Sequence, residues 1–301
     1  MLQKLDPSTE RFLTDMAQIN RRLNSAQREI TSGRRINMAS DDPDQVSNML
    51  QIRSELARTN QTLDNLGRVK TEVDAAEQSL EASVSVLERA RVLGFQGVNG
   101  TQTAEQRQAI ATEVGTLMEQ MVGLSRTTVE GRFLFSGDSD TVAAFTLDLQ
   151  QDDPVSDYQG GPVTREVLHP SGSRFQVAKD GEEIFDNADP SKNVFQAMNN
   201  LRLALRDNDE PGIEAALQQI ETAESHLNTQ LAFYGAAQNQ VAEATDFSHK
   251  QVLRLKTRLS EVQDADMTES IVNFNQAQYQ QEVALTTKAK IPKRSLFDYL
   301  G

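Results

Sequence analysis

The sequence predicts a mainly α-helical chain, an elongated antiparallel bundle of long coiled-coil-like helices carrying a small β-rich insertion. Three observations predict it. Apolar residues recur at heptad spacing through most of the chain, and such a stripe is buried only against another helix. Between Gly131 and Pro190 the periodicity changes, and glycines and prolines punctuate short runs of strand-like alternation. Only 38% of the 301 residues are hydrophobic and 5% aromatic, with no Trp, which suits narrow seams of Leu, Val, Ile and Ala better than a thick core.

Residues 1–42 read as a first helix and a hinge. Leu5, Phe12, Ile19 and Ala26 occupy one heptad position and Met16, Leu23 and Ile30 the other, while Asp15, Asn20, Arg21, Arg22, Asn24 and Arg28 make the opposite face polar. This helix needs a partner from outside itself. Gly33 can take the left-handed conformation that ends a helix. Arg34 and Arg35 either complement the dipole there or meet a partner's acidic surface. Ser40, Asp41 and Asp42 then offer N-cap oxygens, Pro43 suits the first helical position, and Gln45 can complete a capping box with Asp42.

Residues 43–130 read as the first part of a helical shaft. Met49, Leu56, Leu63 and Val84 alternate with Ile52, Leu66, Val73, Leu80 and Leu87, interrupted by Lys70 and Glu77. A helix to about Leu93 would be roughly 75 Å long, a rod by globular standards. Asn99-Gly100 signals a turn, and Thr103 with Gln106 a capping box. The next seam, Ile110, Val114, Leu117, Met121 and Leu124, is expected to run to about Val129 and to return antiparallel along the shaft.

Residues 131–190 form the expected insertion, opening on the strand-like run Gly131 to Gly137 and including the alternating pieces Arg165 to Val167 and Phe175 to Val177. Residues 191–263 return to helix: Asn193 to Arg206, a loop from Asp207 to Gly212, then a long seam of Leu217, Ile220, Leu227, Leu231, Tyr234, Val241, Val252, Leu255, Leu259 and Val262. In residues 264–301, Asp264-Ala-Asp266 with Glu269 marks a second joint and a new helix start, mirroring the first joint. Met267, Ile271, Phe274 and Leu285 make its stripe, thinned by Gln276, Gln278, Gln280 and Gln281. The two terminal stripes are too meagre to stand alone. They are the candidates for assembly, with Leu5, Phe12, Ile19, Leu23, Ile271, Phe274, Leu285, Phe297 and Leu300 as interface residues.

Charge and composition narrow the function classes. Thirty basic against 44 acidic residues leave a net charge of −14, which repels nucleic acid and anionic membrane surfaces. Without Cys there are no disulfides and no thiolate metal sites. The uncharged run Ser225 to Ala242 is too polar for a membrane span. The first residues, Met-Leu-Gln-Lys-Leu-Asp-Pro, lack the apolar core of a secretory signal. His169, His226 and His249 lack metal-ligand spacing, and Asp138, Asp140, Asp152 and Asp153 lack a calcium-loop pattern and read as solvated turns. Gly160-Gly161 is a turn, and no phosphate cradle or nucleophile motif is present. No catalytic residue, metal or cofactor is expected.

The run Thr31-Ser-Gly-Arg-Arg-Ile-Asn-Met-Ala-Ser-Asp-Asp-Pro43 resembles the N-terminal joint of bacterial flagellins and of their hook-filament junction relatives, the hook-associated protein 3 (FlgL) type. Gly131-Arg-Phe-Leu-Phe-Ser-Gly137, Asp264-Ala-Asp266 and the closing Ser295-Leu-Phe-Asp-Tyr-Leu300 resemble further segments of that family, in order and at matching distances from the ends. Pro43 after Asp41-Asp42, the Gly131 run and the C-terminal run look like the FlgL type. Asp6-Pro7 and Arg11 depart from the family's usual N-terminus. The resemblance implies a non-enzymatic structural subunit of the extracellular flagellum, exported unfolded by the flagellar type III machinery without a cleaved signal. Its implied partners are copies of itself, a hook-associated protein on the hook side, flagellin on the filament side and an export chaperone. It also implies terminal helices that lie in the inner tube of the assembly and lack order in the free monomer. A filament flagellin is the alternative within the family. A cytoplasmic coiled-coil scaffold would share the seams but gives no reason for the two joints, and an enzyme housed in residues 131–190 ranks third.

Overall fold

Helix boundaries fall at the caps. In the computed structural model, which describes residues 7–290, α1 spans Pro7–Ser32, α2 Pro43–Val98, α3 Ala104–Ser125, α4 Gly181–Phe185, α5 Val194–Arg206, α6 Glu210–Gln263 and α7 Met267–Lys290. Between α3 and α4 lie β1 (Thr128–Val129), β2 (Arg132–Phe133), β3 (Glu166–Leu168) and β4 (Arg174–Gln176), paired antiparallel as two separate hairpins, β1 with β2 and β3 with β4. The chain divides into two compact units: Met1–Asn60 with Lys250–Gly301, and Gln61–His249. Leu5, Phe297, Leu300 and the run 295–300 lie outside the described residues.

The second unit holds the thick core. Leu66, Val73, Leu80 and Leu87 of α2, Val114, Leu117 and Met121 of α3, Leu201 and Leu205 of α5, and Ile220, Leu227, Tyr234 and Val241 of α6 are all buried in one cluster. Each such side chain contributes about 1.5–3 kcal/mol on leaving water. The expected α3 capping box is present in both directions: Gln106 N donates to Thr103 Oγ1 at 3.3 Å, and Thr103 N to Gln106 Oε1 at 2.8 Å. Helix α3 then returns antiparallel along α2, with Arg107 Nε donating to the Gly97 carbonyl at 2.8 Å near one end and Ser79 Oγ to the Leu124 carbonyl at 2.9 Å near the other.

Three boundaries differ from expectation. Helix α3 stops at Ser125 rather than near Val129, because Thr127 turns its hydroxyl back onto the Leu124 carbonyl (2.7 Å) and the chain enters the β1–β2 hairpin. Glu130 and Gly131, both with positive φ (52° and 79°), make its two-residue turn, the backbone that matches strand twist. The run Gly131 to Gly137 therefore gives strand only at Arg132 and Phe133, paired backwards onto Thr128 and Val129. Helix α6 begins at Glu210, inside the expected loop, since Pro211 needs no amide partner in a first turn.

The insertion is anchored by aromatic rings. Phe135 meets Phe185 edge-on at 5.5 Å and Tyr234 at 6.5 Å, and Phe145 meets Phe195 at 4.9 Å. Phe135, Phe145, Ile184 and Phe185 are fully buried in the same cluster as the helices. The insertion thus shares the helical core instead of building its own, with α4, unforeseen in the sequence, as the element that carries Ile184 and Phe185.

Candidate assembly interface

The first unit is poor in core. Its described buried apolar residues are Ala26, Ile36, Met49, Ile52, Leu255 and Ala277, of which four, Ile36, Met49, Ile52 and Leu255, have large side chains. Helices α1 and α7 pack antiparallel: Ser270 Oγ donates to Glu29 Oε2 at 2.9 Å, Gln281 Nε2 to Asn20 Oδ1 at 2.8 Å, and Lys288 Nζ to Thr9 Oγ1 at 3.3 Å. Lys288 also lies over the Phe12 ring, 5.4 Å from its centre. What the two helices bury deeply is small, Ala26, Ser270 and Ala277. A polar groove of about 330 Å³ remains between them, lined by residues such as Arg22, Glu29, Gln276 and Gln280.

Sequence-selected interface residues divide in two. Phe12, Ile19, Leu23 and Phe274 are half-buried, whereas Ile271 (46%) and Leu285 (52%) stay exposed. Leu13, Val272, Tyr279 and Val283 are also exposed and apolar, and sequence reading missed them. Val272, Tyr279 and Val283 follow helical spacing, a second stripe that the Ile271 stripe masked. Both α1 and α7 are helical throughout their described lengths, and each supplies the half-buried face on which the other packs.

The two joints, mirrored in sequence, meet in space. Arg34 and Asp264 form an antiparallel backbone bridge, flanked by Arg35 N donating to the Gln263 carbonyl (2.8 Å) and Ala265 N to the Gly33 carbonyl (3.0 Å). Gly33 has φ +69° and closes α1 with its amide on the Glu29 carbonyl at 2.8 Å. Arg35 does complement a helix end, but that of α6: its guanidinium donates to the Val262 carbonyl at 3.0 Å and to Asp42 Oδ2 at 3.0 Å. Buried Gln263 accepts a further bond from Arg53 at 3.0 Å.

Asp42 caps α2 through Gln45 N (3.2 Å), with Pro43 first in the helix, and Arg35 holds its carboxyl below the ordinary carboxylate pKa. Asp41 does something else: its Oδ2 accepts from Asn37 N (2.9 Å) and Met38 N (2.7 Å), folding the link between α1 and α2. Asp266 caps α7 by accepting from Thr268 N (2.8 Å) and Glu269 N (3.1 Å). In neither case is the reciprocal half of a capping box formed among the described residues.

Five of the acidic and histidine candidates are engaged elsewhere. Asp138 accepts from Thr164 Oγ1 at 2.8 Å, Asp140 faces Arg132 at 3.7 Å and Asp152 faces Arg206 at 3.5 Å. His226 Nε2 lies 2.9 Å from the Glu183 carbonyl, and His169 Nδ1 lies 2.6 Å from Ser171 Oγ.

Comparison with known proteins places this geometry. The model of the bacterial flagellin N-terminal helical region matches residues 8–140, and that of the bacterial flagellin C-terminal helical region matches residues 217–300. Flagellin FlaB2 of Treponema pallidum is 25% identical over 286 residues, 90% of each chain. Flagellar hook-associated protein 3 of Salmonella typhimurium is 22% identical over 300 residues, 89% of this chain and 90% of its own. Among solved structures, Bacillus cereus FlgL superposes with a TM-score of 0.58 at 23% identity, over 70% of this chain and 99% of that one.

Proposed function

The chain belongs to the bacterial flagellin family, and from that premise we propose that it is a FlgL-type subunit joining hook to filament. Membership makes it a structural, non-enzymatic component of the extracellular flagellum. The observation that carries an assembly role is the contrast between units: a well-filled core at Gln61–His249 and, beside the Arg34–Asp264 joint, a terminal helix pair that buries little more than Ala26, Ser270 and Ala277.

The junction, rather than the filament, is favoured by Pro43 as first residue of α2 and by Gly131 to Gly137 at the start of the insertion. The near full-length similarity to a hook-associated protein 3 points the same way. In this role the exposed apolar side chains of α7 dock on neighbouring copies, with a hook-associated protein on one side and flagellin on the other. Export proceeds unfolded, with a chaperone holding the C-terminal part. A filament flagellin is the second reading, favoured by the equally extensive similarity to Treponema FlaB2. Deletion in the source bacterium separates them. The junction role requires hooks that persist without filaments while unassembled flagellin is released to the medium. Normal motility would overturn it, and altered filaments of a second flagellin still growing on intact hooks would favour the filament reading.

A further inference from the structure

We propose that Asn99 is a site of spontaneous deamidation, and that the fold exposes this position while protecting the chain's other comparable dipeptide, Asp180-Gly181. Asn-Gly occurs once in the sequence and Asp-Gly once. Both can cyclise, because glycine lets the following backbone nitrogen swing onto the side-chain carbonyl carbon. Asn99 and Gly100 are exposed in the α2–α3 turn, and the Gly100 amide has no partner among the described residues. Asn99 Oδ1 accepts from Thr101 N at 3.2 Å and from Thr101 Oγ1 at 3.0 Å, which polarises the carbonyl that is attacked. Gly181 is the opposite case. It is buried, its amide donates to the Phe135 carbonyl at 2.7 Å, and Asp180 is held by capping Glu183 N at 2.8 Å.

The Gly100 nitrogen loses its proton to hydroxide and bonds to Asn99 Cγ. The side-chain amide nitrogen leaves as ammonia, taking a proton from water, and a five-membered imide remains. Water opens the imide at either carbonyl, giving aspartate or isoaspartate, the latter with an extra backbone carbon in the turn. Either product adds one negative charge just ahead of α3.

The full chain incubated at mildly alkaline pH, folded and in denaturant, tests this by isoelectric focusing, ammonia release and isoaspartate mapping. The folded chain is expected to yield one acidic species mapping to Asn99, absent in Asn99→Gln and slowed in Gly100→Ala, while Asp180 reacts only in denaturant. An Asn99 that survives in the folded chain for the time in which the denatured chain converts it, or an acidic species that persists in Asn99→Gln, overturns the proposal.

Discussion

Arg34 and Asp264, near opposite ends of the chain, face each other in an isolated antiparallel bridge between the end of α1 and the start of α7. The bridge brings the two terminal helices to one place, and it depends on Gly33, whose carbonyl receives the Ala265 amide at 3.0 Å.

Gly33→Ala meets no steric obstacle, since nothing lies within 4 Å of an added Cβ, but it must hold φ near +69°. A left-handed alanine costs roughly 1–2 kcal/mol. Hydrogen exchange is expected to speed up at the Ala265 amide while the Leu80 and Val114 region keeps its protection. Unchanged exchange at Ala265 would show that the joint does not rest on Gly33.

Asp42 titrates below its ordinary value of 3.8, first because of Arg35 and then because of the Gln45 amide. A depressed carboxyl contributes its support above the unfolded-state value and loses it as pH falls through the folded-state value. The α2 cap should therefore loosen only in acid, below about pH 3.8. Arg35→Ala is expected to return the Asp42 titration, followed by side-chain NMR, towards that ordinary value. An Asp42 curve unmoved in Arg35→Ala counts against the assignment.

Two glycines of α2 should respond oppositely to alanine. At Gly97 a Cβ would stand 2.3 Å from Leu205 Cδ2, with Ile213 close behind at 3.8 Å, so Gly97→Ala should lose about 1–3 kcal/mol by overpacking. At Gly67 nothing lies within 4 Å, so Gly67→Ala should gain roughly 0.5–1 kcal/mol from the helix backbone. Thermal melting of both variants decides it, and equal shifts would refute the packing account.

Ile271 and Leu285 are exposed at 46% and 52%, so Ile271→Ser and Leu285→Ser remove little that the isolated chain buries. The melting transition should move by less than about 0.5 kcal/mol, the usual range of surface changes. Assembly onto hooks, scored by electron microscopy, should fall sharply. Normal assembly by the double variant would remove these residues from the interface.

The sequence by itself determined the long helices, several of their caps and both joints. Heptad seams, Thr103 with Gln106 and the Gly33 stop are local patterns, each read within one or two turns of chain. Only the tertiary structure decided that Arg35 complements α6 instead of α1, that Phe135 and Phe185 fold the insertion onto Tyr234, and that Val272, Tyr279 and Val283 face outward. Such pairings join residues far apart in sequence, and periodicity states that a stripe exists without stating which partner covers it. The terminal unit shows this most plainly: its stripes were legible from the start, but how little Ala26 and Ala277 bury became visible only with α1 and α7 side by side.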